Sequence, residues 1–535
     1  MKPVLSVEET LRLEDLIEKE GTSKAALMEY AGEFLAKVVM KDHPDRVAVL
    51  VGFGNNGGDG WVAADILSQK GVTVDVVSPI EPNEIKSPIA RHVARRTAGR
   101  DVDVIIGPSR DELVEILSQA DVVIDAILGT GFSGTVRAPF SIWIPTLNEL
   151  DMTVVSADVP SGLNAETGEA AAPCVQATRT ATMLAPKIGL YSGEGPEFSG
   201  EVMCGELYDH LDDVIEDVEH AADIVEAVDL IDYFPEFPAH VNKYSRGSVL
   251  VVAGSSAYPG AAIMAAKAAA RAGAGYVTVA APDPCANLIR MALPCVPVVG
   301  IPADTRGAFG AAAGSPVREL ARKFDCVLCG PGMTTAAGGM QVVTELLGID
   351  VPLVLDADAL NCMSRLAIGG IDTTPEVYRR EAPLILTPHY RELSRLVGDE
   401  PVEDLGTAIA AAQKLVWAAG SDNMVVVAKG PRTAIVGVER VLLPASGPAS
   451  LATAGSGDVL AGIIAAHVAV SHGEVDRWEM QCAYSVAVHS YTGYAAAAAM
   501  GERSVIATDL IDVLGDAMRI VEEEALRDAG IELGA

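Results

Sequence analysis

Short runs of consecutive apolar residues recur along this chain, and they alternate with stretches whose apolar residues are spaced three or four apart. The first series of runs covers residues 47–51, 72–77, 102–106, 122–127 and 153–157, after an amphipathic helical pattern over 7–39. The second series covers residues 248–253, 276–280, 326–328, 353–356, 384–386 and 424–428, with helical patterns later over 483–500 and 509–519. Alternation of Val- and Ile-rich strands with helices predicts an α/β fold, in which helices cover parallel sheets on both faces.

The two series of strands are separated by an acidic segment. Between Glu206 and Asp232 there are 11 Asp or Glu residues and no Lys or Arg. A chain of 535 residues is also too long for one ordinary hydrophobic core. We therefore predict two α/β domains, over residues 1–215 and 225–535.

The net negative charge of the chain disfavours some classes of binding partner. It carries 39 Lys and Arg against 73 Asp and Glu, a formal net charge of −34. A field of this sign repels nucleic acid and anionic membrane surfaces, so we expect neither as a partner. An acidic, lysine-poor surface fits a salt-adapted organism, and an acidic enzyme of a mesophile fits it equally.

The location we expect is the cytoplasm. The first residues lack the apolar core of a signal peptide, and no uninterrupted apolar stretch is long enough to span a membrane. The eight cysteines are scattered, and the one CxxC pair, Cys326 and Cys329, lies in a predicted strand, where its two side chains point to opposite faces. This usage is typical of a reduced protein rather than of a disulfide or zinc framework.

The first apolar run leads into a glycine-rich loop that opens a helical stretch. The loop reads Gly52-Phe53-Gly54-Asn55-Asn56-Gly57-Gly58-Asp59-Gly60 and matches GxGxxG, with Asp75 23 residues after Gly52. Glycines at such a turn let backbone N–H groups approach an anion, and the helix N-terminus adds partial positive charge. The loop therefore predicts a phosphate-bearing ligand, and on spacing alone a dinucleotide. The tandem asparagines are atypical of hydride transfer, and a tight turn without a ligand is the alternative.

The ends of two later apolar runs also carry polar residues. Asp125 lies in the run 122–127, and Asp158 and Ser161 follow the run 153–157. The carboxyl ends of parallel strands line one crevice, so we expect these side chains to converge on the first glycine loop. Asp125, Ser161 and Asn56 offer hard oxygen ligands to a monovalent or divalent cation. Asp158 is then a candidate acid or base, and helix capping is the alternative role for each aspartate.

These segments resemble the NAD(P)HX epimerase family over roughly residues 1–210. The matching segments are Leu27-Met28-Glu29-Tyr30-Ala31-Gly32, where the family usually has Asn in place of Tyr30, and residues 54–60, 129–134, 157–162 and 185–189. The resemblance implies a Rossmann-like three-layer domain that interconverts the R and S hydrates of NADH and NADPH. It implies a bound potassium ion with Asn56, Asp125 and Ser161 as ligands. It also implies hydrate contacts from Asn55, Asn56, Gly57, Gly58, Asp59, Gly129, Thr130, Gly131, Phe132, Ser133, Gly134, Thr135 and Asp158.

A second glycine loop, Gly455-Ser456-Gly457-Asp458, opens another helical stretch. Its N–H groups can hold a nucleotide phosphate while Asp458 deprotonates an acceptor hydroxyl. The run 424–428 leads into Lys429-Gly430-Pro431-Arg432-Thr433, a second candidate phosphate contact, and the run 384–386 leads into His389, a candidate substrate contact. A capping role for Asp458 and a structural role for His389 are the alternatives.

The second half resembles the ADP- or ATP-dependent NAD(P)HX dehydratases over about residues 225–525. The matching segments are residues 243–247, 251–255, 259–262, 271–275, 330–332, 356–361, 387–389, 429–430 and 452–458. The resemblance implies a ribokinase-like fold, with S-hydrate contacts from Ala261, Gly332, His389 and Asp458. It implies nucleotide contacts from Lys429, Gly430, Pro431, Arg432, Thr433 and Gly457. Prokaryotic members generally use ADP, so we expect ADP together with magnesium.

The two resemblances together predict a bifunctional enzyme of metabolite repair, an isomerase fused to a lyase. The first half would convert the R hydrate to the S hydrate, and the second would return the S hydrate to NADH or NADPH at the expense of ADP. Two alternatives stay open: a Rossmann dehydrogenase fused to a small-molecule kinase, and a nucleotide-binding regulatory protein on these folds. We expect small-molecule partners, namely the hydrates and ADP, and a homo-oligomer.

Overall fold

The structure, a computed structural model, describes residues 1–235, 240, 242–366, 380–472 and 477–531. The chain divides into two compact units, Lys2–Ala222 and Asp223–Ala535, with Met1 grouped with the second. The division falls in the interval between the domains that we predict over residues 1–215 and 225–535. The parts of the predicted second domain at 236–239, 241, 367–379, 473–476 and 532–535 lie outside the described residues.

The N-terminal unit is built on a parallel sheet. Its strands are β1 (Lys2–Val4), β2 (Arg46–Val51), β3 (Thr73–Ser78), β4 (Asp103–Ile106), β5 (Val122–Ala126), β6 (Thr153–Ala157), β7 (Arg179–Met183) and β8 (Glu201–Gly205). Seven of them pair in the order β4-β3-β2-β5-β6-β7-β8, and every neighbouring pair is parallel. The five predicted strands are confirmed within one or two residues. The sequence analysis did not predict β7 or β8. The Arg-Thr-Ala-Thr-Met sequence of β7 is polar, although all five residues are buried.

Helices cover both faces of this sheet. They are Val7–Lys19, Lys24–Val39, Asn55–Gln69, Pro88–Thr97, Arg110–Leu117, Phe140–Asn148, Gly195–Phe198 and Leu211–Ile215. Val47, Val49 and Val51 of β2 belong to one hydrophobic cluster, and Ala48 and Leu50 belong to another. Successive strand residues point to opposite faces, so the sheet has a core on each side. The predicted α/β layers are confirmed.

The helical pattern over residues 7–39 is two helices rather than one. Gly21 has a φ of +110°, which interrupts the first helix after Lys19. Ser23 then caps the second helix, because its Oγ accepts a hydrogen bond from the N–H of Ala26 at 3.3 Å.

The order of strands determines where a ligand can bind in this unit. The chain moves outward from β2 to β3 and β4, and then returns to place β5 on the other side of β2. Ligands of open α/β sheets bind where the strand order reverses in this way. The loops that follow β2 and β5 are therefore the expected walls of a site.

The C-terminal unit is built on a second, mostly parallel sheet. Its strands are β9 (Ala222–Ile224), β10 (Ser248–Val252), β11 (Tyr276–Pro282), β12 (Val298–Ile301), β13 (Cys326–Cys329), β14 (Leu353–Leu355), β15 (Leu384–Leu386), β16 (Met424–Ala428), β17 (Ala434–Val436) and β18 (Val441–Leu443). They pair in the order β9-β18-β17-β16-β15-β14-β13-β10-β11-β12, and β17 is antiparallel to both of its neighbours. The six predicted strands are confirmed. The strand order reverses between β10 and β13.

The helices of this unit surround its sheet. They are Pro259–Arg271, Asp283–Ala292, Gly314–Ala321, Ala337–Leu347, Asp358–Leu366, Tyr390–Leu396, Leu405–Ala419, Ser456–Val470, Trp478–Met500, Ala507–Asp512 and Leu514–Asp528. The prediction of one helix over residues 509–519 is wrong, because the chain breaks at Val513 between two helices. Gly515 lies two residues after the break, but the apolar spacing continues across it, so the sequence analysis did not separate the two helices. Among the described helices, none has the length and apolar character needed to cross a membrane.

Candidate active sites

The glycine loop after β2 packs directly against the backbone that follows β5. A Cβ atom at Gly52 would overlap the carbonyl oxygen of Ile127, and one at Gly57 would lie 2.5 Å from the carbonyl oxygen of Gly52. Neither position has room for a side chain. Glycine is therefore required here by close packing, which brings the N-terminus of helix Asn55–Gln69 next to the end of β5.

The three predicted cation ligands meet at the backbone of Leu128. Nδ2 of Asn56 donates to the carbonyl oxygen of Leu128 at 2.7 Å, and the N–H of Leu128 donates to Oγ of Ser161 at 2.8 Å. The same Oγ donates to Oδ1 of Asp125 at 2.5 Å, while the N–H of Ser161 donates to Oδ2 at 2.8 Å. The first turn of helix Asn55–Gln69, the end of β5 and the loop after β6 therefore each contribute one side chain to a single oxygen-rich cluster.

Asp125 is the charged member of this cluster. Its side chain is fully buried, and Oδ2 also accepts a hydrogen bond from the Ser156 hydroxyl at 2.8 Å. Burial raises the pKa of Asp125, and hydrogen bonds from Ser161 and Ser156 partly offset that rise. A buried carboxylate among hydroxyl and carbonyl oxygens has the donor chemistry that alkali and alkaline-earth cations prefer.

Asp158 lies directly after β6 and forms an ion pair with Lys187. Nζ of Lys187 donates to Oδ1 of Asp158 at 2.5 Å and to the carbonyl oxygen of Met183 at 2.9 Å. The Lys187 side chain is 1% exposed and that of Asp158 is 14% exposed, so only the carboxylate reaches the crevice. Asp158 also has a left-handed φ of +65°, which a non-glycine residue keeps only where its surroundings demand it. The pair combines a proton acceptor with a buried cation.

Two further carboxylates interact electrostatically with this pair. Asp59, in the glycine loop, is half-buried, and burial together with the charges of Asp158 and Glu14 raises the pKa of Asp59 well above its usual value. Glu14, on helix Val7–Lys19, is also half-buried; burial raises its pKa, and the charge of Lys187 opposes that rise. Three acids therefore share the field of one buried ammonium group.

The other predicted hydrate contacts surround the oxygen-rich cluster. Oδ1 of Asn55 accepts a hydrogen bond from the hydroxyl of Ser87 at 2.7 Å. A Cβ atom at Gly129 would lie 3.1 Å from Cβ of Asn56, so Gly129 packs on the cluster. Residues 130–135, which follow Gly129, are more exposed. Thr130 and Phe132 are half-buried, and Gly131, Ser133, Gly134 and Thr135 are exposed.

Asp75 is not placed to bind the ribose of a dinucleotide, the role that its spacing from Gly52 suggests. It lies within β3 rather than at the strand end, and it is 3% exposed. Its two carboxylate oxygens accept hydrogen bonds from Nε and Nη2 of Arg46 at 2.8 and 3.1 Å. The acid that would bind the ribose in a dinucleotide site is therefore occupied by an ion pair, which weakens the dehydrogenase alternative.

In the C-terminal unit the loops after β10 and β13 are in contact. The N–H of Gly254 donates to the carbonyl oxygen of Pro331, and the Ser255 hydroxyl donates to that of Gly332, both at 2.8 Å. Gly332 has a φ of +62°, and a Cβ atom there would lie 3.0 Å from Cβ of Ala261. Ala261 and Gly332, two predicted hydrate contacts, are thus neighbours.

Lys429 follows β16 and connects three strand ends. Its Nζ donates to Oδ1 of Asp356 at 2.6 Å, and the same oxygen accepts from the hydroxyl of Thr387 at 2.8 Å. A Cβ atom at Gly457 would lie 3.2 Å from the Lys429 Nζ, so the ammonium group adjoins the second glycine loop. Burial opposes the charged form, but the carboxylates of Asp356 and Glu392 raise the pKa of Lys429. The lysine is therefore a fixed positive charge beside Gly457.

Two carboxyl groups near Lys429 titrate close to neutral pH. Burial, and then the charge of Asp356, raises the pKa of Asp458 to about 7. Burial likewise raises the pKa of Glu392 to about 7, while the charge of Lys429 opposes the rise. Asp458 is the third residue of helix Ser456–Val470 and is half-buried. A carboxyl group with such a pKa can accept a proton at neutral pH.

His389 has a structural role in addition to any contact with substrate. Its Nδ1 accepts hydrogen bonds from the N–H groups of Arg391 and Glu392 at 3.1 and 3.3 Å, which caps helix Tyr390–Leu396. Burial, and then the charge of Lys429, lowers the pKa of His389. The imidazole side chain is half-exposed and borders Lys429, so both roles are compatible with its position.

The remaining predicted nucleotide contacts form the turn between β16 and β17. A Cβ atom at Gly430 would overlap the phenol ring of Tyr390, so this residue must be small. Pro431 is exposed, and Arg432 and Thr433 are half-buried. The contact between this turn and Gly457 runs through Lys429.

The sequence analysis assigned no role to several residues that these sites contain. Lys187 lies in the matching segment 185–189, but nothing in the sequence pairs it with Asp158. Asp356 lies directly after β14, and Asp125 and Asp158 also lie at the ends of strands. This shared position at a strand end was the signal in the sequence that could have identified Asp356. Glu14 and Glu392 are surface-type residues on helices, and only the folded chain brings them to the sites.

Two family models match the chain. Residues 24–189 match the model described as YjeF-related protein N-terminus. Residues 249–515 match the model described as NAD(P)H-hydrate dehydratase. The two matches fall in different units.

Several known proteins are similar to this chain over nearly its whole length. The bifunctional NAD(P)H-hydrate repair enzyme Nnr of Salinibacter ruber is 36% identical, with 93% of this chain and 92% of that protein covered. The protein of the same name from Moorella thermoacetica is 32% identical, with 93% of each covered. A solved structure, the ADP/ATP-dependent NAD(P)H-hydrate dehydratase from Bacillus subtilis co-crystallized with ATP/Mg2+, is 26% identical; the match covers 55% of this chain and 97% of that one, with a TM-score of 0.46.

Proposed function

The chain belongs to the family of bifunctional NAD(P)H-hydrate repair enzymes, and on that premise we propose a reaction for each unit. The N-terminal unit interconverts the R and S hydrates of NADH and NADPH. The C-terminal unit dehydrates the S hydrate at the expense of ADP. The different chemistry of the two sites supports this division. The N-terminal unit has the Asp158–Lys187 ion pair beside the oxygen-rich cluster, whereas the C-terminal unit has Asp458 and Lys429 beside a glycine loop.

Epimerisation inverts the carbon that bears the hydroxyl group. The C–O bond at that carbon breaks while the neighbouring ring nitrogen supplies an electron pair, and the hydroxyl group leaves as water after it gains a proton. Water then adds to the other face and loses a proton, which gives the hydrate of opposite configuration. Asp158 is the proposed acid or base, because its carboxylate reaches the crevice. The buried Lys187 holds that carboxylate in one orientation, and Asp59 is close enough for its charge to interact with that of Asp158.

The oxygen cluster of Asn56, Asp125 and Ser161 fits a potassium ion in its chemistry. Carboxylate, hydroxyl and amide oxygens are hard donors, and Asp125 supplies a negative charge. When bound, the ion would supply positive charge that attracts the phosphates of the hydrate. The first-turn N–H groups of helix Asn55–Gln69 would then add hydrogen bonds to the same phosphates.

Dehydration in the second unit begins with phosphoryl transfer. Asp458 accepts the proton of the hydrate's hydroxyl, and the hydroxyl oxygen attacks the terminal phosphorus of ADP, which leaves AMP. Phosphate then departs from the ring carbon with the bonding pair while an adjacent ring carbon loses a proton, which restores the dihydropyridine double bond. Lys429 offsets the negative charge of the transferred group, and the N–H groups of Gly457 and Asp458, in the first turn of helix Ser456–Val470, would donate to it.

Magnesium is proposed to arrive with the nucleotide. Among the described residues, no three His, Cys, Asp or Glu side chains are arranged to hold a metal ion by themselves. Magnesium in nucleotide sites keeps several waters and binds one or two carboxylates in addition to phosphates. The carboxylates of Asp356 and Glu392 interact with the same lysine, and they are the proposed protein partners of that ion. Assembly into a homo-oligomer stays a prediction from the sequence.

The proposed function is tested with a mixture of the R and S hydrates. With ADP and magnesium, the purified protein should return both forms to NADH or NADPH, which is followed by the absorbance of the dihydronicotinamide product. Without nucleotide, the protein should interconvert the two hydrates, which chromatography separates, and should form no reduced product. Formation of reduced product at the same rate without nucleotide would contradict the dehydratase assignment. Conversion of the S hydrate alone, with the R hydrate left unchanged, would contradict the epimerase assignment.

Removal of potassium should slow the epimerisation reaction alone. We expect interconversion of the hydrates, measured without ADP, to rise with potassium concentration and to saturate. Asp125→Asn removes the charge from the proposed cation cluster, so it should lower the rate by at least about 10-fold and abolish the potassium dependence.

Ser156→Ala is the matched control, because it removes one hydrogen bond from the same carboxylate but leaves the charge of Asp125 and the three proposed ligands in place. It should keep the response to potassium. A wild-type rate that is the same in potassium and in choline, or an Asp125→Asn variant with a normal response, would rule out the cation site.

A further inference from the structure

A buried histidine lies against the second glycine loop, and the proposed mechanism does not use it. His489, on helix Trp478–Met500, places Nε2 3.1 Å from Oγ of Ser456, the first residue of helix Ser456–Val470. His489 is 7% exposed and Ser456 is 6% exposed. Ser456 comes two residues before Asp458, so the histidine supports the part of the loop that carries the proposed base.

The backbone of Ser456 is already engaged, and its hydroxyl is the group left for a ligand. The N–H of Ser456 donates to the carbonyl oxygen of Thr453 at 3.2 Å, which closes the turn before the helix. A hydroxyl group has one donor and two acceptor positions. When Oγ accepts a hydrogen bond from His489, the hydroxyl proton is free to point elsewhere.

The imidazole of His489 is neutral at working pH. Burial, and then the positive charge of Lys429, lowers its pKa to about 4, while a hydrogen bond to the backbone of Ser456 opposes this shift. A neutral imidazole carries one N–H group. That single N–H can donate to Oγ of Ser456 from Nε2, and the ring then adds no charge beside Lys429.

We propose that His489 is a positioning residue that donates from Nε2 to Ser456 and thereby turns the Ser456 hydroxyl toward the phosphate that ADP transfers. Ser456 adds a side-chain donor to the backbone N–H groups of the loop and to the ammonium group of Lys429. This inference rests on the proposed phosphoryl transfer at Asp458. It assigns the contact to the terminal phosphate because Ser456 shares the first helical turn with Gly457 and Asp458.

A second histidine–serine pair between the same two helices provides a matched control. Nδ1 of His467 lies 2.9 Å from Oγ of Ser485, and both residues are buried. His467 is eleven residues after Ser456 on its helix, which is about 16 Å along the axis. The chemistry and burial of this pair match those of His489 and Ser456, but it lies far from the glycine loop.

The inference is tested by the binding of ADP and of AMP, measured by calorimetry without hydrate. Ser456→Ala and His489→Leu should each weaken ADP binding about 10-fold or more, the loss of one hydrogen bond to a charged group. AMP binding should stay unchanged, because AMP lacks the terminal phosphate. The double variant should lose no more than either single variant, since both changes remove the same contact. His489→Gln, which keeps a donor group, should recover most of the affinity.

The control variant His467→Leu should lower the melting temperature as much as His489→Leu does and should keep wild-type ADP affinity. Losses of ADP affinity that match this control, losses that add up in the double variant, or an equal loss for AMP would overturn the inference. If the wild-type protein binds ADP but does not convert the S hydrate, the proposed function fails while this test still applies. If the wild-type protein does not bind ADP, both fail.

Discussion

Replacement of Asp458 by asparagine should lower the ADP-dependent conversion of the S hydrate by about 100-fold or more, the usual contribution of a general base. Asparagine keeps the shape of the side chain but cannot accept the hydroxyl proton. The half-buried carboxylate beside Lys429 and Gly457 is the group to which the mechanism assigns that proton. The measurement is the rate of formation of NADH or NADPH from purified S hydrate at saturating ADP.

The pH dependence gives this prediction a second readout. Asp458 accepts a proton only when it is ionised, and burial followed by the charge of Asp356 raises its pKa to about 7. The ionised fraction, and with it the rate, should therefore rise as the pH increases through about 7. The residual rate of Asp458→Asn should lack this rise. A wild-type rate that is flat or falling between pH 6 and pH 8, spanning the pKa of about 7, would show that another group acts as the base.

Asp516 offers a matched control for this substitution. It is the third residue of helix Leu514–Asp528, as Asp458 is the third residue of helix Ser456–Val470, and its side chain is 70% exposed. Asp516→Asn changes the same charge at the same helical position and should leave the rate unchanged. If both variants keep the wild-type rate, Asp458 is not the base.

Replacement of Asp158 by asparagine should lower the interconversion of the hydrates by about 100-fold or more while the S hydrate is still converted at the normal rate. The carboxylate is the part of the Asp158–Lys187 pair that reaches the crevice, so it is the proposed proton carrier. Lys187→Met should also slow interconversion, because the methionine cannot hold the carboxylate at 2.5 Å as Nζ does. The measurement is the chromatographic separation of the R and S forms over time, without ADP.

Stability must be separated from catalysis in these variants. Removing one partner of a buried ion pair leaves an uncompensated charge, which typically costs about 3–5 kcal/mol. The double variant Asp158→Asn/Lys187→Met removes both charges and should be more stable than Asp158→Asn but equally slow. Asp75→Asn breaks another ion pair of the same unit, that of Asp75 with Arg46 inside the sheet, and should keep epimerisation. Normal interconversion by Asp158→Asn, or loss of both activities, would refute the assigned role.

Local sequence was enough to predict the α/β class and the parallel strands at the centre of each sheet. Buried parallel strands such as Arg46–Val51 and Met424–Ala428 are almost entirely Val, Leu, Ile, Met and Ala, because both of their faces are covered. The first glycine loop was recognisable from the sequence because the backbone approaches so closely at Gly52 that only glycine fits there. Local sequence was insufficient for β7, whose threonines are buried by partners that lie far along the chain.

The sequence by itself determined where polar residues interrupt the apolar pattern: Asp125 and Asp158 stand out at the ends of apolar runs, and Asp458 stands out beside the glycines that open a helix. Only the tertiary structure decided what each residue contacts. It paired Asp158 with a lysine 29 positions away and Asp75 with Arg46, and it set His489 against Ser456. These contacts depend on strand order and helix packing, which bring distant segments together, and no local spacing encodes such distances.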